Sequence, residues 1–180
     1  KQMCETINHR GPDDEGYLDN KIGYLGHKRL KIIDLARGKQ PMQTSSGRYN
    51  LIFNGEIYNY LELRQDLVRK GIRFKTHSDT EVLLRCYEYY GKEMLSKLNG
   101  MFAFAIFDSK TNTFFAARDH FGIKPLYYTI LKDGSLVFSS EIKALFCVPE
   151  VKKSPDMLGL HEYLTFQYCL HDKTMFTGIK

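Results

Sequence analysis

No apolar run in this chain is longer than the seven residues from Met101 to Phe107, whereas a helix that crosses a bilayer needs about 20. A soluble chain with no membrane partner is expected. The four cysteines, Cys4, Cys86, Cys147 and Cys169, lie far apart with no C-x-x-C pair. That scatter argues against a zinc site and a compact disulfide framework, and favours a reducing compartment, the cytoplasm. The six histidines show no metal-ligand spacing with acidic or cysteine partners, so no metal is expected. Charge of one sign is scarce too. The formal net charge is only +5, and the densest basic region, Lys28, Arg29, Lys31, Arg37 and Lys39, lacks interleaved aromatics. It reads as a solvated face, and no nucleic acid is expected.

What remains has the composition of an ordinary globular domain, 43% hydrophobic and 26% charged. A chain of 180 residues buries roughly 70% of the surface its unfolded form exposes, so it needs no covalent staple. It opens on Lys1 and Gln2 without methionine or signal peptide, which reads as a fragment of a longer protein.

The patterning alternates between two periods. Residues 1 to 8 read as the end of a helix, broken by the polar loop His9 to Asp14. Ile22 to Leu30, continued by Leu30 to Leu35, fits two short strands or one kinked strand. Gly38 to Gly47 is a turn-rich loop. Tyr60, Leu63 and Leu67 share a helical face closed by Gly71. Ser78 and Glu81 form a capping box before Val82, Leu83, Cys86 and Tyr90. Met101 to Phe107 reads as a strand packed on both faces, paired with Thr113 to Ala117, and Leu126 to Ile130 with Ser135 to Phe138 as a further hairpin. Glu141 to Phe146 and Gly159 to Gln167 read as helices flanking a linker, Val148 to Pro155. Strands buried on both faces with amphipathic helices between them imply an α+β fold, a four-layer α/β/β/α sandwich of two mainly antiparallel sheets.

The stretch Phe53 to Asn59 organises the chemistry. An apolar run, Leu51 to Phe53, stops at Asn54 and Gly55, where a strand is expected to end in a polar turn. Asn and Gly tolerate positive φ, so this pair can aim a backbone N–H and a side-chain NH2 at one point, as an oxyanion hole requires. It can equally be the turn of a β-hairpin. Arg29 sits among apolar neighbours and needs an anionic partner, either a structural carboxylate or a ligand carboxylate. Asp79 falls in the first turn of a helix, where it complements the dipole and also points charge toward any ligand beyond the helix start.

Eight motifs occur in order: His9 to Asp13, His27 to Asp34, Gln40 to Met42, Phe53 to Asn59, Ser78 to Val82, Asn99 to Phe104, Arg118 to Tyr128 and Ser140 to Leu145. Together they resemble the glutaminase domain of asparagine synthase, a class II glutamine amidotransferase of the N-terminal nucleophile hydrolase superfamily. The resemblance implies residues 1–154 as the glutaminase domain without its first strand, and 155–180 as a connector toward a synthetase domain. It implies that Arg29 holds the α-carboxylate of L-glutamine, that Glu56 and Asp79 grip its α-ammonium, and that Ile32 and Ile33 line the pocket. Asn54 and Gly55 would form the oxyanion hole.

The implied reaction hydrolyses glutamine to glutamate and ammonia, which a synthetase domain uses for ATP-dependent amidation of aspartate. Attack comes from an N-terminal cysteine whose own α-amine is the general base. Cys4 is not that residue: it lies in the helical stretch Met3 to Ile7 without a free α-amine, so no nucleophile is assigned within the chain. Two alternative readings are an acceptor that is another carboxylate, such as that of a polysaccharide sugar, and a non-catalytic glutamine-binding module. Sugar and purine amidotransferases are disfavoured, because a Thr-Arg-Trp motif stands where this tryptophan-free chain has His27 to Asp34. No cofactor is implied for this domain; ATP and magnesium belong to the synthetase domain of the same chain. A homodimer is left open.

Overall fold

The structure is a computed structural model, described here for residues 1–20, 23–30 and 38–180. In chain order its elements are α1 (Gln2–Thr6), β1 (Asp14–Asn20), β2 (Gly23–Arg29), β3 (Met42–Gln43), β4 (Tyr49–Ile57), α2 (Tyr60–Arg69), α3 (Asp79–Tyr90), β5 (Gly100–Asp108), β6 (Thr113–Arg118), β7 (Tyr127–Ile130), β8 (Leu136–Ser139), α4 (Ile142–Leu145) and α5 (Met157–Phe166). Short 3₁₀ turns cover Asn8–Arg10 and Gly91–Lys97. Every pairing between these strands is antiparallel, as an α+β chain of hairpins and helices requires.

The chain divides into two compact units, residues 8–124 and residues 1–7 with 125–180. The first is built on a four-stranded sheet of order β3-β4-β5-β6 with the β1-β2 ribbon beside it. Odd-numbered residues of β4, Leu51, Phe53 and Ile57, join Leu63 and Leu67 of α2 and Val82, Leu83 and Cys86 of α3 in one core. Asn54 and Glu56 therefore leave β4 on the other face. Each fully buried Leu, Ile or Phe contributes about 1.5–3 kcal/mol, which is what fixes the two helices on the sheet. β5 is buried along nearly its whole length, as its uninterrupted apolar pattern predicts. Ser78 caps α3 by accepting the Glu81 N–H at 3.2 Å. The reciprocal half of the expected box is absent: the Glu81 carboxylate instead accepts the Lys75 and Thr76 N–H groups.

Two expectations need correction. The strand through Phe53 does not end at Asn54. It runs to Ile57, because β5 pairs with it throughout: Asn54 faces Ala103, Gly55 faces Phe102 and Ile57 faces Gly100. Asn54-Gly55 is thus mid-strand, and the hairpin reading falls. β1 was not foreseen as a strand; its Asp14–Asn20 sequence is polar, and it is a strand because β2 pairs with it residue for residue. The expected strand over Leu30 to Leu35 falls largely outside the described residues.

In the second unit β7 and β8 form a ribbon, and the main chain of Tyr128 exchanges hydrogen bonds with Lys180 at 2.8 and 2.9 Å. Residues 155–180, expected as a connector, fold back within this unit: Asp156 N–H donates to Met175 O at 2.9 Å and Thr177 N–H to Ser154 O at 2.9 Å. α1 packs beside α4, with Thr6 Oγ1 3.1 Å from Cys147 Sγ. Asp156 caps α5, and Gln167 ends it in the left-handed conformation.

Candidate functional site

The site is organised by one edge of β4. In an antiparallel ladder, alternate residues turn their main-chain groups toward one neighbour and then the other. The N–H and C=O of Phe102 both bond Asp119, so the pair Gly55–Phe102 makes no ladder bonds. The main-chain groups of Phe53, Gly55 and Ile57 therefore point away from β5. Beyond Leu51 no β3 residue pairs with that edge, and side chains occupy it instead. The Phe53 N–H donates to Gln40 Oε1 at 2.6 Å, and the Phe53 carbonyl accepts from Gln40 Nε2 at 3.1 Å and from His27 Nε2 at 3.0 Å. The Ile57 N–H donates to Asp79 Oδ2 at 3.2 Å. Between these two filled positions stands the Gly55 N–H.

Only glycine fits there. Its φ is +150°, and a Cβ would lie 2.1 Å from the Met101 carbonyl oxygen and 2.7 Å from Phe102 Cα. Next to it, Asn54 Nδ2 is buried and has no hydrogen-bond partner among the described residues. A buried, unpaired amide donor costs about 1–3 kcal/mol. A donor without a partner beside an edge N–H can serve an oxygen that develops negative charge.

The charged residues flank this pair. Asp79 is buried at the start of α3, where its Oδ1 also accepts the Thr80 N–H at 2.8 Å. Burial raises its pKa above the ordinary carboxylate range, against the pull of the Ile57 and Thr80 N–H groups, and the nearby Glu56 carboxylate raises it further. A buried carboxylate beside a second carboxylate forms a site that a cation would relax. Arg29, only 7% exposed, ends β2 two residues after His27, so the two share a face of that strand. His27 is what ties that face to β4. Its pKa is lowered to about 4, chiefly by burial, with the Arg29 charge adding to the effect. At neutral pH the ring is neutral, so Nε2 carries the proton it gives to Phe53, and Nδ1 is a buried acceptor with no partner among the described residues.

Of the residues expected in the site, Asn54, Gly55, Glu56 and Asp79 are brought together around the end of β4, and Arg29 lies on the β2 face that His27 anchors there. Ile32 and Ile33 lie outside the described residues. His27 and Gln40 went unassigned in the sequence, although both sit in recognised motifs; the signal for His27 was its spacing of two from Arg29. Within the Arg118 to Tyr128 motif, the part up to Lys124 is structural. Asp119 accepts the N–H groups of Phe102, Phe121, Ile123 and Lys124 at 2.9–3.1 Å, and Arg118 donates to the Lys124 and Gly122 carbonyls. Burial alone would raise the Asp119 pKa, but those four donors hold it below the ordinary value. A separate cleft of about 230 Å³, walled by Lys39, Gln43, Lys75, Glu81 and Arg85, contains none of the expected site residues.

A family model described as "Glutamine amidotransferase domain" matches residues 1–180. The chain belongs to the glutamine amidotransferase domain family. This amidotransferase domain is 47% identical over its full length to asparagine synthetase [glutamine-hydrolyzing] 1 of Bacillus subtilis, of which it covers 28%. It is 44% identical to the third such synthetase of that organism over 89% of this chain and 26% of the relative. A similar enzyme of Oryza sativa is 44% identical over 80% of this chain and 24% of the relative. The amidotransferase domain thus spans roughly a quarter of the length of these relatives. Among solved structures, a glutamine phosphoribosylpyrophosphate amidotransferase from B. subtilis, complexed with ADP and GMP, matches with TM-score 0.58 and 30% identity, over 70% of this chain and 29% of that one. The fold is accordingly α+β of the N-terminal nucleophile hydrolase type. No helix among the described residues is long and apolar enough to cross a membrane.

Proposed function

We propose that this domain binds L-glutamine and releases its amide nitrogen as ammonia for ATP-dependent amidation of aspartate by a synthetase part of the same chain. The observation that carries the reading is the grouping at the end of β4: an edge glycine N–H, a buried Asn54 amide with no partner among the described residues, and two carboxylates within electrostatic reach of each other. The asparagine synthetase names of the relatives support aspartate as acceptor. Residues 155–180 would lead toward the synthetase part, where ATP and magnesium would bind. The scattered free thiols fit a cytoplasmic setting.

In this reading Arg29 holds the α-carboxylate with a planar, bidentate fork. Glu56 and Asp79 take the α-ammonium, so binding stabilises the ionised form of Asp79. A cysteine thiolate attacks the side-chain carbonyl carbon, a C–S bond forms, and the oxygen becomes an oxyanion. The Gly55 N–H and Asn54 Nδ2 donate to that oxyanion, and the interaction strengthens as charge develops. Collapse breaks the C–N bond; the cysteine's own α-amine, having taken the thiol proton, passes it to the departing NH2 group, which leaves as ammonia. Water then cleaves the thioester to glutamate.

No nucleophile is assigned among the cysteines of this chain. Cys86 is buried with its thiol pushed up to about 12 by that burial, and Cys4 is buried inside α1; neither can be the thiolate. The experiment is to label the full-length protein with a diazoketone analogue of glutamine and map the adduct by mass spectrometry. A single adduct on an N-terminal cysteine, blocked by excess glutamine, is expected. Saturable glutamine binding without any adduct favours a non-catalytic glutamine-binding module.

A further inference from the structure

On the reading just given, we propose that Gln40 and His27 are positioning residues of glutamine hydrolysis: their side chains stand in for a missing strand along β4 and hold the Gly55 N–H where the oxyanion forms. β3 pairs Met42 with Leu51, and continuing that register would set Gln40 opposite Phe53. β3 begins only at Met42, short of that position. The side-chain amide of Gln40 takes over, donating and accepting with Phe53 as a backbone peptide unit would, at 3.1 and 2.6 Å. His27 Nε2 adds a second donor to the same carbonyl at 3.0 Å.

The clamp is braced from behind. At Gly16 of β1 a Cβ would fall 1.9 Å from the Gln40 carbonyl oxygen, so the ribbon presses against the Gln40 main chain. On the far side, Asp79 fixes Ile57 at 3.2 Å. Phe53 and Ile57 are thus pinned on either side of Gly55, whose lack of a side chain leaves it the softest of the three positions. Because its partner is a carbonyl oxygen, His27 Nε2 is the donor whether the ring is neutral or charged. None of these atoms needs to touch glutamine. Their effect falls on a donor that acts in the transition state, so it belongs in kcat and not in KM.

The test is steady-state glutamine hydrolysis by the full-length protein. Gln40→Glu keeps the acceptor for the Phe53 N–H but sets an oxygen against the Phe53 carbonyl. It is expected to lower kcat about 10²-fold, the scale of a displacement near 1 Å, with KM for glutamine nearly unchanged. His27→Leu is expected to lower kcat likewise, and His27→Gln, which keeps an N–H donor at similar reach, to restore most of it. Circular dichroism establishes that each variant is folded; if Gln40→Glu is not, the His27 pair decides. Wild-type kcat in Gln40→Glu or His27→Leu, an equal rise in KM, or no rescue by His27→Gln overturns the clamp while the glutaminase reading stands. A folded wild type with its N-terminal cysteine that releases no ammonia overturns both.

Discussion

Replacing Asn54 with alanine separates function from stability, because the residue that should help catalysis is a burden to the empty fold. Its Nδ2 is buried and makes no hydrogen bond among the described residues, a desolvation cost of about 1–3 kcal/mol. Asn54→Ala removes that cost and forfeits packing worth a similar or smaller amount for a half-buried side chain. The domain should therefore stay as stable as wild type or gain up to about 2 kcal/mol, a shift of roughly 2–4 °C in melting temperature per kcal/mol for a chain of this size. Loss of one oxyanion donor should cost about 10²–10³ in kcat, or 2.7–4 kcal/mol of transition-state stabilisation. KM for glutamine should move little. The assay pairs glutamate release by full-length protein with a thermal melt of the same preparation. A variant that melts well below wild type, or that loses affinity with kcat intact, would show that Asn54 is a structural or ground-state binding residue, and the oxyanion argument would fail.

Three further outcomes are expected. Arg29→Ala should raise KM for glutamine about 10–10²-fold, the worth of a charge-assisted hydrogen-bond pair, with a smaller change in kcat; an unchanged KM refutes carboxylate recognition. Because burial raises the Asp79 pKa, ionising it costs the free protein stability that is fully present below the unfolded-state pKa and lost as pH rises through the folded value. Glutamine's ammonium favours the ionised form, so affinity should weaken on acidification at a pH above the ordinary aspartate value of about 3.9, with protons released on binding; titration calorimetry in buffers of different ionisation enthalpy measures this, and flat affinity down to that pH contradicts it. Asp119→Ala strands four backbone donors and should destabilise by at least about 2 kcal/mol. Its depressed pKa means that the stabilisation it supplies is present above the unfolded value and is lost as acid carries the pH down through the folded one, which an acid-unfolding series on wild type and variant would reveal.

The helices and apolar strands were legible because their periodicity is strong: Leu63 and Leu67 mark the buried face of α2, and the unbroken run of β5 marks burial on both sides. β1 was not legible, since Asp14–Asn20 becomes a strand only through its partner β2. The Asn54-Gly55 dipeptide misled in a specific way. Its local chemistry favours a turn, but pairing with Ala103 and Phe102 carries the strand through it, so tertiary context overrides propensity. That same override creates the site, because a glycine inside a strand, on an edge that β3 abandons, leaves a donor exposed to a ligand. The sequence motifs named Arg29, Asn54, Glu56 and Asp79 as candidates, and the last three gather at the end of β4. The support by His27 and Gln40 was not legible, because contacts to the Phe53 main chain leave no trace in side-chain patterning.

The central claim is that one amino acid fits against the end of β4, and amide NMR of isotopically labelled full-length protein titrated with L-glutamine tests it directly. The Gly55 backbone and Asn54 side-chain resonances should shift together and saturably, and D-glutamine should leave them in place. Saturable shifts confined to the Lys39–Arg85 cleft, with Gly55 and Asn54 unmoved, would contradict the account.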